Sequence, residues 1–313
     1  MSAQPVPPGV SPAVRARSIA AWAAALRPRS LPVAISPVLV GAALGFERTG
    51  AIDGRAALLV LGAALLMQLI TNLQNDVGFT LRGGGRGAAH TGQPRATANG
   101  WLSVGAVRAA IVFAAGIALG LGLALAAYRG WPVLAIGTAS LFAALAYMGG
   151  PRPIAYTPFG ELTVFVFFGL VAVLGTDWVL TGSVGAASVL AAVAIGGLAA
   201  AALAVNNHRD IAHDGLVGRY TFAVRFGQVA SQRLFGTLLL GPFGLLPLLA
   251  WMQRDAALLL PVLLLPSALR LRREFVNCSH GAGFNELLHR TFRLELGFAA
   301  LLATGAVLVR MLG

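Results

Sequence analysis

The chain contains no lysine: all 23 of its basic residues are arginine. A Schiff base and a lysine general base are therefore excluded. Cysteine is nearly as scarce. Cys278 stands alone, so no intramolecular disulfide and no cysteine-built zinc site is available. Charged residues make up 11% of the 313 positions against 57% hydrophobic ones, a balance that belongs to a polytopic membrane protein. No Ser-His-Asp or Cys-His arrangement, complete phosphate loop or dinucleotide fingerprint is present. His90, His280 and His289 have no partners at metal-ligand spacing and read as loop or helix-surface residues.

What the sequence does have is apolar runs of spanning length. They fall near 31–47, 56–76, 103–127, 132–149, 160–180, 184–208, 229–252, 256–271 and 289–311. The expected fold is all-α, a bundle of about nine transmembrane helices. Residues 1–18, dominated at first by Pro, Ser and Ala, read as a disordered tail, and 19–313 as a single transmembrane domain. Arg15, Arg17, Arg27 and Arg29 interrupt the approach to the first run, so a secretory signal is not expected. With the N-terminus inside, only Arg48, Arg55, Arg129, Arg254 and Arg310 fall outside, a strong positive-inside bias. That bias accounts for the net charge of +12 without a nucleic-acid partner. It predicts a multi-pass protein of the cytoplasmic (inner) membrane, with the polar clusters described next on the cytoplasmic side.

The first cluster is NNHRDIAHDGLVGRYTFAVRFG, 206–227. Asn206, Asp210 and Asp214 follow at four-residue steps and share a face if the helix continues. Two acids at that spacing repel each other, and a divalent cation removes the penalty. Magnesium takes one or two carboxylates with water and phosphate oxygens, while Arg209, Arg219 and Arg225 supply phosphate-facing charge. The second cluster, TNLQNDVGFTLRGGGRG at 71–87, repeats the step with Asn72 and Asp76 and is expected to close the second helix. Two polar helix ends sharing a metal and a diphosphate is the functional reading; polar residues at the headgroups is the plain one. Gly83, Gly84, Gly85 and Gly87 either bring backbone N–H groups to a phosphate or form a linker. Between the fourth and fifth runs, Pro151, Pro153 and Pro158 hold Arg152 in a stiff turn. Tyr147 and Tyr156 beside it are interfacial anchors or ring faces for a developing cation. Glu161 suits the N-terminal dipole of the fifth helix, and Arg27 and Arg29 suit surface anchoring of the first.

RPRSLP at 27–32, NLQNDVG at 72–78, GPRP at 150–153, GELTVFVFFGLVAVLGT at 160–176, NNHRD at 206–210 and TFAVRFG at 221–227 together resemble the UbiA superfamily of membrane prenyltransferases. The likeness is strongest to the branch that prenylates 1,4-dihydroxy-2-naphthoate for menaquinone. It implies a magnesium-dependent enzyme that moves a polyprenyl group from its diphosphate to an aromatic acceptor, with loss of carbon dioxide in that branch. On that resemblance Asp76, Asp210 and Asp214 are expected on Mg2+, with Asn72, Asn75 and Asn206 supporting. Arg95, Arg152, Arg209 and Arg219 are expected on the diphosphate, and Tyr147 near the reacting carbons. The partners implied are the polyprenyl diphosphate, the aromatic acceptor and membrane lipid, with no protein or nucleic acid. Departures are Phe79 and Gly83 where the family has acids, and Gly215 and Leu216 where it has cations. Another aromatic or quinone precursor, or a non-catalytic lipid-binding relative, are the alternatives. A transporter fits poorly, because the charges gather at helix ends and not at the midplane.

Overall fold

Several apolar runs begin at a capping side chain, and several end at a residue of positive φ, such as Gly50, Gly130, Gly182 and Arg254. The computed structural model describes residues 14–83, 92–279 and 281–312. Residues 1–13 of the expected tail 1–18, the glycines 84, 85 and 87, His90 and His280 lie outside them. Ser18 caps helix α1 (Ile19–Leu26), and Arg27, in the left-handed region, ends it. One 3-10 turn, Pro28–Ser30, leads into α2 (Pro32–Thr49). Asp53 caps α3 (Gly54–Leu81) by accepting from the Arg55 amide at 2.7 Å. Ser103 caps α4 (Val104–Arg129), and Gly130, with φ 73°, turns the chain straight into α5 (Trp131–Met148). The fifth span is composite: α6 (Gly160–Val164), a π-helical stretch (Phe165–Leu174) and α7 (Gly175–Thr181). There follow α8 (Ala186–Arg209), the short α9 (Ile211–Leu216) and α10 (Phe222–Gln253). A 3-10 segment (Ala256–Leu264) runs on into α11 (Leu265–Asn277), and α12 (Gly281–Leu312) completes the chain.

Among the described residues the fold is all-helical, and seven helices are long and apolar enough to cross a bilayer. The pair Ile19–Ser30 and Pro32–Thr49, bent by 41°, makes an eighth. The expected eighth run, 256–271, is a broken path, because Pro261 and Pro266 remove backbone donors from it. Nine is thus an approximate count. The second span also differs from expectation. It does not end at Asp76 but continues to Leu81, because the polar residues inside it have protein partners. The Asn72 amide donates to the Leu26 carbonyl at 2.8 Å and to Ser30 Oγ at 3.0 Å.

Helix α8 is the axis of the bundle. Its apolar window is 78% buried, against 17% for α4 at the periphery, as expected of a helix that is small and apolar on every side. Small residues let its neighbours approach to backbone contact. A Cβ on Gly169 of the π-helical stretch would lie 2.5 Å from the Gly196 Cα, and one on Gly196 would lie 2.7 Å from the Phe165 carbonyl. Gly196→Val must therefore part the two helices, and a loss of about 1–3 kcal/mol is expected from such overpacking. A lowered midpoint of thermal unfolding in detergent checks this.

The end of the bundle away from the polar clusters is fastened by Asp177, which is fully buried. It accepts from Arg48 at 2.8 Å, Ser188 Oγ at 2.7 Å and the Gly185 amide at 3.0 Å. These bonds tie α2, α7 and the start of α8 together and leave the opposite end to carry the chemistry.

Candidate active site at the arginine-rich helix ends

The last turns of α3 meet the segment that follows α8. The Phe79 ring stacks on His213 with centroids 5.8 Å apart and planes 18° apart. On the same ring lies the Arg95 guanidinium, 4.9 Å from its centroid. Phe79, where the resemblance implied an acid, is thus a buried aromatic platform packed with Tyr147, Met148 and Ala155.

Asp76 is fully buried, and its carboxylate takes up the loop that returns from α3. Oδ2 accepts from the Ala96 amide at 2.8 Å, and Oδ1 from the Thr97 amide at 2.8 Å and from the Thr97 hydroxyl. A carboxylate that accepts backbone N–H bonds in this way pins the segment it caps. The pinned segment begins at Arg95.

Two guanidinium groups lie near this carboxylate with buried nitrogens that have no hydrogen-bond partner among the described residues: Nε and Nη2 of Arg27, and Nε and Nη1 of Arg95. Burial, and then the neighbouring charge of Arg27, push the Arg95 guanidinium well below its ordinary value. Such a pair calls for an anion. Arg27 is therefore no surface anchor, as its place before the first span suggests; the signal in the sequence that marks it is the RPRSLP motif.

Asp214 supplies the opposite charge. Helix α8 ends at Arg209, but i to i−4 bonding continues: the Asp210 amide donates to Asn206 at 3.1 Å and the Asp214 amide to Asp210 at 2.8 Å. The four-residue ladder expected from the spacing is therefore kept through the break. Asp214 Oδ1 faces Arg219 at 3.4 Å and His213 at 3.7 Å, while Oδ2 is buried with no hydrogen-bond partner among the described residues. Burial pushes the Asp214 carboxyl above its usual range, with Arg219 opposing the push and Asp210 adding to it. Arg219 is cradled: Nε donates to the Ala155 carbonyl at 2.8 Å and Nη2 to Asn207 Oδ1 at 3.3 Å. Burial works against its charge, yet Asp214 holds its proton affinity above the ordinary value.

Other expected site residues are placed differently. Arg209 is committed to a bidentate pair with Asp210, at 2.8 and 2.6 Å, and to Asn285 of α12 at 2.6 Å. It therefore fixes Asp210 and joins α8 to α12. Arg152 is exposed in the proline turn. Asn72 is spent on Leu26 and Ser30.

Beneath this polar rim opens a cavity of about 310 Å³. Arg27, Asn75, Gln93, Tyr147 and Asn206 line it at the polar end, and Phe167, Phe168, Val171, Leu125 and Trp178 form apolar walls. The Tyr147 hydroxyl is buried with no hydrogen-bond partner among the described residues. Gln93 contacts His289 of α12 at 2.9 Å, which closes the loop over the mouth.

Among the described residues no three His, Cys, Asp or Glu side chains gather as one ligand set, because the Asp76 oxygens serve the loop. The residues nevertheless fit magnesium. This ion needs one or two carboxylates and takes its other oxygens from water and phosphate. Asp214, with a buried oxygen that has no partner among the described residues and an acid one helical turn before it, offers such ligands.

The profile of the UbiA prenyltransferase family matches residues 34–283. The 1,4-dihydroxy-2-naphthoate octaprenyltransferase of Escherichia coli (strain K12) is 35% identical over 227 residues, covering 71% of this chain and 73% of the relative. The protein of the same name from Mycobacterium tuberculosis (strain ATCC 25618 / H37Rv) is 35% identical over 222 residues, covering 71% and 75%. In structure the chain is similar to a UbiA homolog from Archaeoglobus fulgidus bound to DMAPP and Mg2+. The TM-score is 0.66 at 17% identity, covering 93% of this chain and 99% of that one.

Proposed function

The chain belongs to the UbiA prenyltransferase family, and from that premise we propose that it transfers a polyprenyl group from its diphosphate to 1,4-dihydroxy-2-naphthoate. The observation that carries the reading is a set of buried atoms without hydrogen-bond partners among the described residues: guanidinium nitrogens on Arg27 and Arg95, which lie in each other's field and near Arg219, and Oδ2 of Asp214, which pairs with that same Arg219 through Oδ1. Arg27 lines the polar end of the apolar cavity, beside Asn75, Gln93 and Asn206.

In this reading Arg27, Arg95 and Arg219 hold the diphosphate, and Asp210 and Asp214 hold magnesium with Asn206 in support. Bound magnesium would draw negative charge from the departing diphosphate. Asp76 contributes by holding Arg95 in place. The polyprenyl tail lies along the π-helical wall, whose wider backbone turn is characteristic of functional positions within a helix. The C–O bond breaks with its electron pair leaving on the diphosphate, and the allylic carbon becomes cationic where the apolar walls exclude water. The ring carbon that bears the carboxylate bonds to it. Carbon dioxide then departs, and its bonding pair restores the aromatic ring. Tyr147, on the wall beside the rim, faces the reacting carbons. The positive-inside bias puts this rim on the cytoplasmic face of the cell membrane.

Purified protein in nanodiscs, given octaprenyl diphosphate, the naphthoate and Mg2+, is expected to form a product whose mass equals prenylated acceptor less carbon dioxide. Chelation of the metal should stop it. No product from the naphthoate, with product from another phenolic acid, would move the acceptor; none from any acceptor would overturn the reading. The platform under Arg95 gives a finer prediction. Phe79→Leu removes the ring face and should raise the donor KM by roughly 2- to 30-fold, the range for a cation–π contact, with the acceptor KM unchanged.

A further inference from the structure

Four side chains, one at the start of the fifth span and three within residues 207–219, are joined by one chain of hydrogen bonds behind the cavity wall. Glu161, at the start of the fifth span, accepts through Oε1 from Asn207 Nδ2 at 2.8 Å. The other end of the same carboxamide, Asn207 Oδ1, accepts from Arg219 Nη2 at 3.3 Å. Arg219 Nη1 then reaches Asp214 Oδ1 at 3.4 Å. Glu161 is 6% exposed and Asn207 2%, so water does not substitute for these partners. A helix-dipole role, the sequence reading of Glu161, accounts for an acid in the first turn but not for its burial or for this connection.

We propose that Glu161 is a positioning residue for the donor's diphosphate, acting through Asn207 on Arg219. The inference rests on the transfer reading above. Its logic is the asymmetry of the groups. An ionised carboxylate only accepts and a guanidinium only donates, whereas a carboxamide has one end of each kind. Glu161 draws the amide nitrogen toward itself and leaves the amide oxygen facing Arg219. With Ala155 and Asp214 on its other edges, three of the five N–H groups of Arg219 are used, and two remain for a phosphate. Without Glu161 the Asn207 amide loses its acceptor in a buried place, and the carboxamide is no longer held in the orientation that orders Arg219. Gly160 keeps the wall over this relay closed: a Cβ there would meet the Tyr147 hydroxyl at 3.3 Å and Leu203 at 3.4 Å.

The test uses the purified full chain and a non-reactive geranyl thiodiphosphate, whose binding is measured by calorimetry beside steady-state kinetics with the natural type of donor. Glu161→Leu is expected to weaken analogue binding about tenfold and to raise the donor KM in parallel, with the acceptor KM unchanged. Glu161→Gln, whose carbonyl accepts the same bond from Asn207, should restore both to within about twofold. Asn207→Leu combined with Glu161→Leu should add little to either alone, as for members of one network. The proposal is overturned if Glu161→Gln fails as badly as Glu161→Leu while analogue binding stays intact, which would put the acid on the acceptor. It is also overturned if Glu161→Leu lowers only thermal stability, or if the wild type does not bind the analogue. A wild type that binds the analogue but transfers to no acceptor would defeat the transfer reading, while the binding series still decides the relay.

Discussion

Asp214→Asn lowers prenyl transfer at least about a hundredfold, the scale expected when a charge that serves the transition state is removed, and it does so without weakening the fold. Asparagine keeps the shape and can still accept from Arg219 through its oxygen. The oxygen that changes chemistry is Oδ2, which has no hydrogen-bond partner among the described residues, so no structural bond is lost with it. Removing a buried carboxyl from beside Asp210 also relieves the repulsion between them. Thermal midpoint unchanged or raised, with turnover lost, is the expected pair of readings. Asp76→Asn should behave in the opposite way. Its two oxygens accept from the Ala96 and Thr97 amides, and an asparagine keeps only one acceptor. The loop that carries Arg95 is loosened, so the midpoint falls as well as the turnover. Circular dichroism melts beside turnover numbers distinguish the two aspartates.

The second large effect concerns the arginines. Arg27→Leu and Arg95→Leu should each abolish the stabilisation that a donor analogue gives the protein. A ligand at about a hundred times its Kd stabilises the native state by about 2.7 kcal/mol. In the variants that shift is expected to vanish at the same analogue concentration. The ligand-free midpoints should hold or rise, because each variant removes buried cationic nitrogens that have no hydrogen-bond partner among the described residues. A variant that keeps the shift would remove that arginine from the site. Arg209→Leu gives a contrasting signature. It removes the bonds that Arg209 gives to Asp210 and to Asn285 across α8 and α12, so the ligand-free protein itself is destabilised.

The spans are legible in the residues alone, because a bilayer demands unbroken apolar length and little else matches it. The four-residue ladder Asn206, Asp210, Asp214 is legible too, since helical spacing fixes which side chains share a face. Pairings across long stretches of sequence are not. Asp76 is spent on amides 20 and 21 residues away, and no local pattern announces that. Arg209 pairs with its own neighbour and with Asn285, 76 residues on, so its charge is internal although its motif suggests a ligand. Arg27 is hidden by its surroundings: an arginine just before a span looks the same whether it faces headgroups or folds inward. The π-helical turn in the fifth span leaves no composition signal apart from the close glycine contact it needs at Gly169 and Gly196.

The most direct measurement is a structure of the protein in nanodiscs with Mg2+ and a non-reactive prenyl thiodiphosphate. The account predicts diphosphate density bounded by Arg27, Arg95 and Arg219, metal density against Asp210 and Asp214, and a tail running down the cavity past Phe167 and Phe168. Diphosphate density elsewhere, or a metal held by neither aspartate, would contradict it.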